Sequence, residues 1–312
     1  MNLQKGFITV ATGKWYCYLA QNLAMSYRLF GNCNLPFYVI TDKKGEKKLK
    51  KYFDGVIVVD KPHYNYLDKI GIYQNSPFEE TVFLDADMDV VKDISFLHDS
   101  FEKNGSEISC YGSLKDITES IRPNHFGLAA INQFHLKQYI SFNGGIYYFK
   151  KGKTAEKCID DIYNLLIPNY EKFDLAYFRN HQMADEPLIG LSMLINGQTP
   201  MHTEDHIMNF ANDMKSIRWN MDAQICRFLW YGNDISTRIL HFGTHNTYTW
   251  KYNLLNTKLK NRYRKTPALF GGFRLLGAWL KWAFSKRQLK AFFKWFGWHF
   301  TPSYWKRKLG NQ

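Results

Sequence analysis

Short apolar runs alternate with helix-forming segments through the first ninety residues, and this alternation limits the possible folds more than any other feature of the sequence. The apolar runs, which are predicted to be strands, cover residues 6–12, 35–41, 55–59 and 81–84. The segments between them, which are predicted to be helices, cover residues 18–30, 46–52 and 66–74. Repeated strand–helix–strand units of this kind form a parallel sheet buried between layers of helices. The predicted fold class is therefore α/β, with a mostly parallel sheet flanked by helices.

The pattern becomes less regular after residue 89. Further strands are predicted at 108–112, 142–149, 216–222 and 237–242, and further helices at 154–173 and 185–196. A polar, irregular loop is predicted around residues 122–134. The composition changes near residues 250–257. We therefore predict one domain over residues 1–255 and a separate tail over residues 256–312.

Carboxylates follow the predicted strands at one edge of the sheet. Asp42, Asp60 and Asp85 each come at the end of a strand, and parallel sheets bind ligands beyond these carboxyl ends. In an extended chain the side chains of Asp85 and Asp87 point to the same side, and Asp89 follows at the same spacing. Two neighbouring carboxylates repel each other unless a cation or a proton lies between them, and hard oxygen ligands suit Mg²⁺ or Mn²⁺. The alternative is a pair of solvated turn residues, but their position directly after the buried Val82-Phe83-Leu84 run favours a metal site.

The acidic motif and its surroundings resemble the GT-A fold glycosyltransferases, especially bacterial members of glycosyltransferase family 8. The resemblance extends over residues 6–245 and rests on the segments 76–81, 83–87, 90–94, 142–146, 185–186 and 241–243. It implies a GT-A (Rossmann-like) sheet and a metal, Mn²⁺ or Mg²⁺, held by Asp85, Asp87 and His241. It also implies a nucleotide-sugar donor, with a UDP-sugar first among the candidates, and retention of the anomeric configuration.

The resemblance also gives roles to the other candidate residues. Thr12 and Tyr16 occupy the loop that holds the nucleotide, and Lys69 would contact the donor phosphates. Asn143 and Gly144 match the segment that lies against the donor sugar. Asp185 and Glu186 match an acidic or amide pair close to the reacting sugar, and we assign them the catalytic role, Asp185 first.

One motif departs from the family pattern. In the family segment H-x-x-G-x-x-K the lysine contacts the diphosphate, whereas here Gly243 follows His241 by two positions and the expected lysine is missing. His245 and Lys251 are the candidate replacements.

The residues taken singly leave alternatives open. Lys69 is equally well interpreted as a solvated helix lysine, and core packing is the more common role of an aromatic such as Tyr16. Two glycines at 144 and 145 weaken a strand unless a sugar approaches the backbone or a β-bulge needs them. A lone histidine such as His241 is more often a core group than a ligand, and acidic residues are favoured in any first helical turn, as at 185–186. The acidic metal motif shifts the balance for His241 towards ligation.

The positive charge of the chain is concentrated at its C-terminus. The formal net charge is +13, yet residues 251–312 contain fifteen Lys and Arg and no Asp or Glu, which leaves residues 1–250 at −2. The tail also contains five tryptophans and many phenylalanines, and no uncharged run in it reaches the ~20 residues needed to span a bilayer. Basic and aromatic residues on opposite sides of a helix are typical of a segment lying in the membrane interface. An anionic membrane surface is therefore favoured over nucleic acid, which we do not expect as a partner.

Together these features predict a cytoplasmic enzyme bound peripherally to the inner face of the cell membrane. The five scattered cysteines fit a reducing compartment, and no hydrophobic leader precedes the first strand. We predict a hexosyltransferase that moves a sugar from a nucleotide-diphosphate donor to a lipid-linked saccharide acceptor during capsule or lipopolysaccharide synthesis. The alternatives are a nucleotidyl- or phosphotransferase that uses the same aspartates, and a non-catalytic membrane-bound scaffold.

Overall fold

A computed structural model describes residues 3–117, 128–175, 177–178, 182–203, 205–285 and 288. The chain forms two compact units, the first ending at Gly243 and the second beginning at Thr244.

The first unit alternates strands and helices along its first half. In chain order it begins with β1 (Leu3–Ala11), α1 (Gly13–Phe30), β2 (Phe37–Thr41), α2 (Lys43–Leu49), β3 (Gly55–Val58), a 3-10 turn (Tyr66–Lys69), α3 (Ile72–Asn75), β4 (Phe78–Leu84) and β5 (Met88–Val90). It continues with α4 (Leu97–Asn104), β6 (Ile108–Asp116), α5 (Leu128–Gln133), β7 (Gln138–Lys150), α6 (Lys153–Asp161), a π-helical turn (Ile162–Leu166), β8 (Tyr177–Phe178), β9 (Gln182–Met183) and α7 (Asp185–Ile195). It ends with β10 (Met208–Phe210), β11 (Arg218–Asn220), β12 (Ile225–Trp230), β13 (Asn233–Ser236) and β14 (Ile239–His241).

A six-stranded sheet forms the centre of this unit, in the order β3-β2-β1-β4-β7-β6. The first four strands in that order are parallel, β7 is antiparallel to β4, and β6 is antiparallel to β7. The predicted α/β class with a mostly parallel sheet is therefore confirmed. The connections through helices bring the carboxyl ends of β1, β2 and β4 to one edge, where the acidic residues lie.

The core explains why these particular segments form the central strands. Phe7 and Ile8 of β1 pair with Val82 and Phe83 of β4, and all four side chains are fully buried. Apolar residues on consecutive positions of a strand fill both faces of the sheet, which only a sheet covered on both sides can accommodate.

Two predicted helices differ from those observed. The segment 66–74 divides into a 3-10 turn and the short helix α3. The segment 154–173 is α-helical only to Asp161 and then widens into a π-helical turn, in which Ile167 N–H donates to the Ile162 carbonyl at 2.9 Å. Pro168 follows directly and has no N–H to donate to the carbonyl four residues earlier, so the regular helix cannot continue.

The predicted loop at 122–134 contains helix α5 in its second half, whereas residues 118–127 lie outside the described part. The late segments that were expected as strands at 216–222 and 237–242 are shorter, and they belong to two small sheets, β11-β12-β13 and β10-β14-β5. In the second of these β14 pairs antiparallel with β5, which places His241 opposite Met88, one residue after Asp87.

The second unit is helical where the structure describes it. The short helix α8 (Gly243–Asn246) leads into it, and α9 (Trp250–Tyr263) and α10 (Ala268–Ala283) follow. Within this unit Trp282 Nε1 donates to the Tyr248 carbonyl at 3.2 Å, and the rings of Trp250 and Trp282 are 5.8 Å apart. Among the described residues, every helix is too short or too polar to cross a membrane.

Candidate metal and sugar-nucleotide site

The acidic motif lies in the connection between β4 and β5. β4 ends at Leu84 and β5 begins at Met88, so Asp85 and Asp87 occupy a turn rather than the extended strand that the spacing argument assumed. The Asp85 N–H donates to the Gly145 carbonyl at 2.9 Å, and the Ala86 N–H donates to Asp85 Oδ1 at 2.8 Å. The turn thus brings the two carboxylates together. Asp89 lies on β5, is fully buried, and is not in the group that the turn brings together.

His241 completes a group of three side chains that can bind a metal. Its Nε2 lies 3.0 Å from Asp87 Oδ1 and 4.0 Å from Asp85 Oδ2, and the ligand atoms of the three residues lie within 4.8 Å of one another. Burial opposes protonation of His241, but the Asp87 carboxylate raises its pKa above the ordinary value. His241 in turn lowers the pKa of Asp87 against the effect of burial.

Lys69 is the largely buried counter-charge of this edge, with its side chain 12% exposed, and not a solvated helix residue. Its Nζ lies 2.8 Å from Asp85 Oδ2 and 3.2 Å from Asp185 Oδ2, and it donates to the Gly144 carbonyl at 3.2 Å. Burial opposes the charge, yet Asp185 and Asp85 together raise the pKa of Lys69 above its ordinary value. One cation therefore joins Asp85, a predicted metal ligand, to Asp185, the predicted catalytic aspartate.

Asp185 and Glu186 lie in the first turn of α7, next to the glycine pair of β7. Glu186 Oε1 accepts a hydrogen bond from the Gly144 N–H at 2.6 Å. Burial, with the repulsion of Asp185, raises the pKa of Glu186 to about 7. Asp185 is 1% exposed and contacts Lys69, so the two acidic residues occupy different environments. The favourable helix dipole alone does not explain them, since both make contacts outside their helix.

Tyr147 is a site residue that the sequence argument did not identify. It is fully buried on β7, and its hydroxyl donates to Asp185 Oδ2 at 2.7 Å. Its ring stacks on Phe83 at 5.6 Å. In the sequence it is one more aromatic in a buried strand. No local pattern distinguishes it there, because its hydroxyl lies next to Gly144, three residues earlier, where regular strand alternation would place it on the opposite side of the sheet.

The glycine pair allows the site side chains to approach the backbone. A Cβ at Gly144 would lie 2.9 Å from Asp185 Oδ2 and 2.7 Å from the Tyr147 hydroxyl, and a Cβ at Gly145 would lie 3.1 Å from His241 Nδ1. The preceding Asn143 has a buried Oδ1 without a hydrogen-bond partner. A buried acceptor of this kind is costly unless a ligand hydroxyl or a water satisfies it.

The predicted nucleotide-binding residues lie at the end of β1. The Thr12 hydroxyl donates to Asp68 Oδ2 at 2.7 Å, and the Gly13 N–H donates to Asp42 Oδ2 at 2.7 Å. Burial first, and then Tyr16, raises the pKa of Tyr66 to about 12. These residues form the part of the edge next to the 3-10 turn that carries Lys69. The replacements considered for the missing lysine, His245 and Lys251, belong to the second unit, and their role stays a prediction.

Comparison with solved structures identifies the fold. The chain is similar to the galactosyltransferase LgtC, solved in complex with donor and acceptor sugar analogs, with a TM-score of 0.53 and 12% identity over 86% of this chain and 99% of that one. It is also similar to the bifunctional glycosyltransferase WbbM, with a TM-score of 0.52 and 12% identity over 88% of this chain and 52% of WbbM. Mouse xyloside xylosyltransferase 1 matches at a TM-score of 0.47 and 10% identity, over 78% of this chain and 99% of that one.

No protein-family model and no curated protein matches the chain. The solved structures therefore establish the class of fold rather than a family. The fold is that of the GT-A glycosyltransferases, in agreement with the predicted class.

Proposed function

We propose that the protein is a metal-dependent glycosyltransferase that uses a nucleotide-diphosphate sugar as donor. The observation that carries this proposal is the group formed by Asp85, Asp87 and His241, whose ligand atoms lie within 4.8 Å of one another at the carboxyl edge of the sheet. Asp185, Glu186 and Lys69 lie next to it, so a metal-binding group and a sugar-facing acidic group occupy one site.

The residues present fit a divalent cation. Two carboxylates and an imidazole are a donor set suited to Mn²⁺, with Mg²⁺ as the alternative. When bound, such an ion would supply positive charge for the diphosphate leaving group. The protein's own contribution is to hold Asp87 through His241 and to hold Asp85 through Lys69 and the turn.

Each of the remaining residues has a defined part in this proposal. The buried Asn143 Oδ1 would accept a hydrogen bond from a donor-sugar hydroxyl beside Gly144. Thr12 and Tyr16 would hold the nucleotide, with UDP as the proposed nucleotide. Lys69 would supply positive charge to the donor diphosphate, and His245 or Lys251 would take the place of the missing family lysine.

Asp185 and Glu186 would act on the reacting sugar. Asp185, buried and paired with Lys69, would stabilise positive charge that develops at the anomeric carbon. Glu186, with its pKa raised to about 7, would exchange a proton with the acceptor hydroxyl near neutral pH. We propose retention of configuration, as in family 8.

The acceptor is proposed to be a lipid-linked saccharide of capsule or lipopolysaccharide synthesis, used at the inner face of the cell membrane. Two observations support a membrane partner. Fifteen basic residues and no acidic ones lie in residues 251–312, and α10 exposes large apolar side chains, with Leu269 70% and Phe273 65% exposed. In functional terms we propose a catalytic domain over residues 1–255 and a membrane-binding tail over 256–312.

The other two hypotheses are less well supported. A scaffold gains nothing from the pairing of Lys69 with the carboxylates of Asp85 and Asp185, because withdrawing charged groups from water costs free energy. A nucleotidyl- or phosphotransferase would use the same aspartates. The amide oxygen of Asn143, which is buried without a hydrogen-bond partner beside the acidic pair, is better suited to a sugar hydroxyl.

The proposal is tested by incubating the full chain with a panel of nucleotide-sugars, with and without Mn²⁺, and measuring nucleoside diphosphate release. We expect release with at least one sugar that requires the metal and falls at least a hundredfold, or about 3 kcal/mol in barrier, in Asp87→Ala. Asp160→Ala, an exposed aspartate on α6, is the matched control and should retain activity. Release that is unchanged in Asp87→Ala, or that is absent with every sugar, would overturn the proposal.

A further inference from the structure

An open pocket lies at the turn between α9 and α10, and the proposed sugar transfer does not involve it. The pocket has a volume of about 490 Å³. It is lined by Arg264, Lys265 and Arg274 and, on the apolar side, by Phe270 and Phe273. Arg264 and Lys265 are exposed, and both phenylalanines are more than half exposed.

The backbone of the turn holds these cations close together. Lys265 adopts a left-handed conformation, with φ of 51°, as the chain leaves α9, and its N–H donates to the Arg262 carbonyl at 3.0 Å. Arg274 Nη1 donates to the Thr266 hydroxyl at 2.7 Å, so a side chain from the second turn of α10 is tied back to the connection. Three basic side chains, two from the turn after α9 and one from α10, therefore line the same pocket.

The pocket also lies at the amino end of a helix. Pro267 is the N-cap of α10 and provides no side-chain hydrogen bond to the first turn. The first N–H groups of a helix have no acceptor within the helix, and the helix dipole is positive at that end. The last acidic residue of the chain is Asp234, so no carboxylate of the second unit neutralises this charge. The pocket therefore has the charge and the donors that an anion requires.

An apolar stripe extends from the pocket along the outer side of α10. Its members follow one another at intervals of three or four residues and are all exposed: Leu269 at 70%, Phe273 at 65%, Leu276 at 55%, Leu280 at 42% and Phe284 at 67%. The opposite side of the helix, from Gly271 to Trp282, is packed within its own unit. An exposed apolar stripe next to a cationic pocket matches an interface that is both apolar and anionic.

We infer that the α9–α10 turn is a binding site for the phosphate group of an anionic phospholipid, which fixes α10 parallel to the bilayer surface. Arg264, Lys265 and Arg274 contact the phosphate, and Phe270 and Phe273 enter the acyl layer beside it. Arg274 and Lys281 are seven residues apart and share one side of the helix, so a second cation lies at headgroup depth. This inference rests on the proposed membrane-binding role of the tail and is independent of the catalytic proposal, since it involves none of the site residues.

The test compares two variants that lose the same charge. The full-length protein is sedimented with vesicles of phosphatidylcholine and with vesicles that also contain phosphatidylglycerol. In Arg264→Gln/Lys265→Gln we expect binding to the anionic vesicles to be about tenfold weaker than in the control Lys251→Gln/Lys258→Gln, because a phosphate contact adds charge-assisted hydrogen bonds to the general attraction. Circular dichroism spectra of both variants establish that they are folded.

Several results would overturn the inference. If vesicle binding is weakened equally in the two variants, only the overall charge of the protein matters. If the unaltered protein does not bind anionic vesicles, the proposed membrane-binding surface is excluded. Preferential loss of single-stranded RNA binding in the pocket variant would indicate nucleic acid instead. Release from the vesicles by inorganic phosphate to the same extent as by chloride of equal ionic strength would mean that the turn has no site specific for phosphate.

The vesicle assay needs no donor sugar, so its outcome is separate from that of nucleoside diphosphate release. Substitution of both aromatic residues, Phe270→Ser/Phe273→Ser, provides a second measurement. This variant should bind vesicles more weakly than the unaltered protein, and the difference should be the same at low and high salt, because apolar contact is lost and the charge is unchanged. Unchanged vesicle binding in this variant would contradict insertion of Phe270 and Phe273 into the acyl layer.

Discussion

At the scale of single residues, the site depends on contacts that link its acidic groups. Lys69 contacts both Asp85 and Asp185, and the Tyr147 hydroxyl contacts the same oxygen of Asp185, Oδ2. Asp185 Oδ2 therefore accepts a hydrogen bond from Tyr147 and forms an ion pair with Lys69 at 3.2 Å, and the two contacts together restrict the orientation of the carboxylate. A group that must act at one atom of a sugar benefits from such restriction.

Removing the Tyr147 hydroxyl should lower turnover without changing donor affinity. In Tyr147→Phe we expect kcat to fall about tenfold to a hundredfold, because a buried hydrogen bond to a charged group is lost, whereas the KM for the donor stays within about threefold. Steady-state kinetics with the accepted nucleotide-sugar provide the measurement.

The neighbouring residue provides the control. Tyr148 is equally buried and donates to Glu80 Oε2 at 2.9 Å, but it faces the other side of the sheet and stacks on Phe101. Tyr148→Phe should lower stability by a similar amount and leave kcat unchanged. If both variants lose the same activity, Tyr147 has a structural role only.

At the scale of elements, helix α4 contributes a titratable group to the core. His98 is 1% exposed and packs edge-on against Phe7 at 5.1 Å between ring centres. Burial first, and then the charge of Lys5, lowers the pKa of His98 to about 4, although Asp99 and Glu102 act in the opposite direction.

This burial predicts a loss of stability in mild acid. Between the ordinary histidine pKa near 6.5 and the folded value of about 4, the unfolded chain binds a proton that the folded chain does not. The free energy of unfolding therefore falls as the pH decreases through that window, by up to about 3 kcal/mol from this residue. Denaturant unfolding from pH 7 to pH 4 should show a shallower decrease in His98→Leu than in the unaltered protein. Parallel curves would show that His98 is not the group responsible.

The turn between β4 and β5 illustrates how elements, and not spacing alone, form a site. The i and i+2 spacing correctly selected Asp85 and Asp87 as neighbours, but the reason is the turn that precedes β5. His241 reaches them because β14 pairs with β5, and that pairing connects residues about 150 positions apart.

At the scale of the whole molecule, charge and chemistry belong to different parts of the chain. Residues 1–250 are nearly neutral overall and contain the acidic site, whereas the basic excess follows Lys251. The two proposed activities should therefore be separable by point substitutions.

We expect Asp87→Asn to abolish nucleoside diphosphate release and to bind anionic vesicles as the unaltered protein does. The pocket variant Arg264→Gln/Lys265→Gln should release nucleoside diphosphate as the unaltered protein does and should bind anionic vesicles more weakly. Both assays are run on the same preparations, so that a folding defect would appear as the loss of both activities. Loss of vesicle binding in Asp87→Asn with an unchanged circular dichroism spectrum would contradict this separation.

The sequence alone determined the class of fold, because buried parallel strands require continuous apolar runs and the intervening helices have their own periodicity. It also determined the acidic edge and the location of the positive charge, since both are local properties of the chain. The tertiary structure decided which residues meet: Lys69 became the shared partner of Asp85 and Asp185, Tyr147 joined the site, and Arg274 met the α9–α10 turn. Contacts between distant residues depend on strand order, register and turns, and no local pattern of residues specifies these.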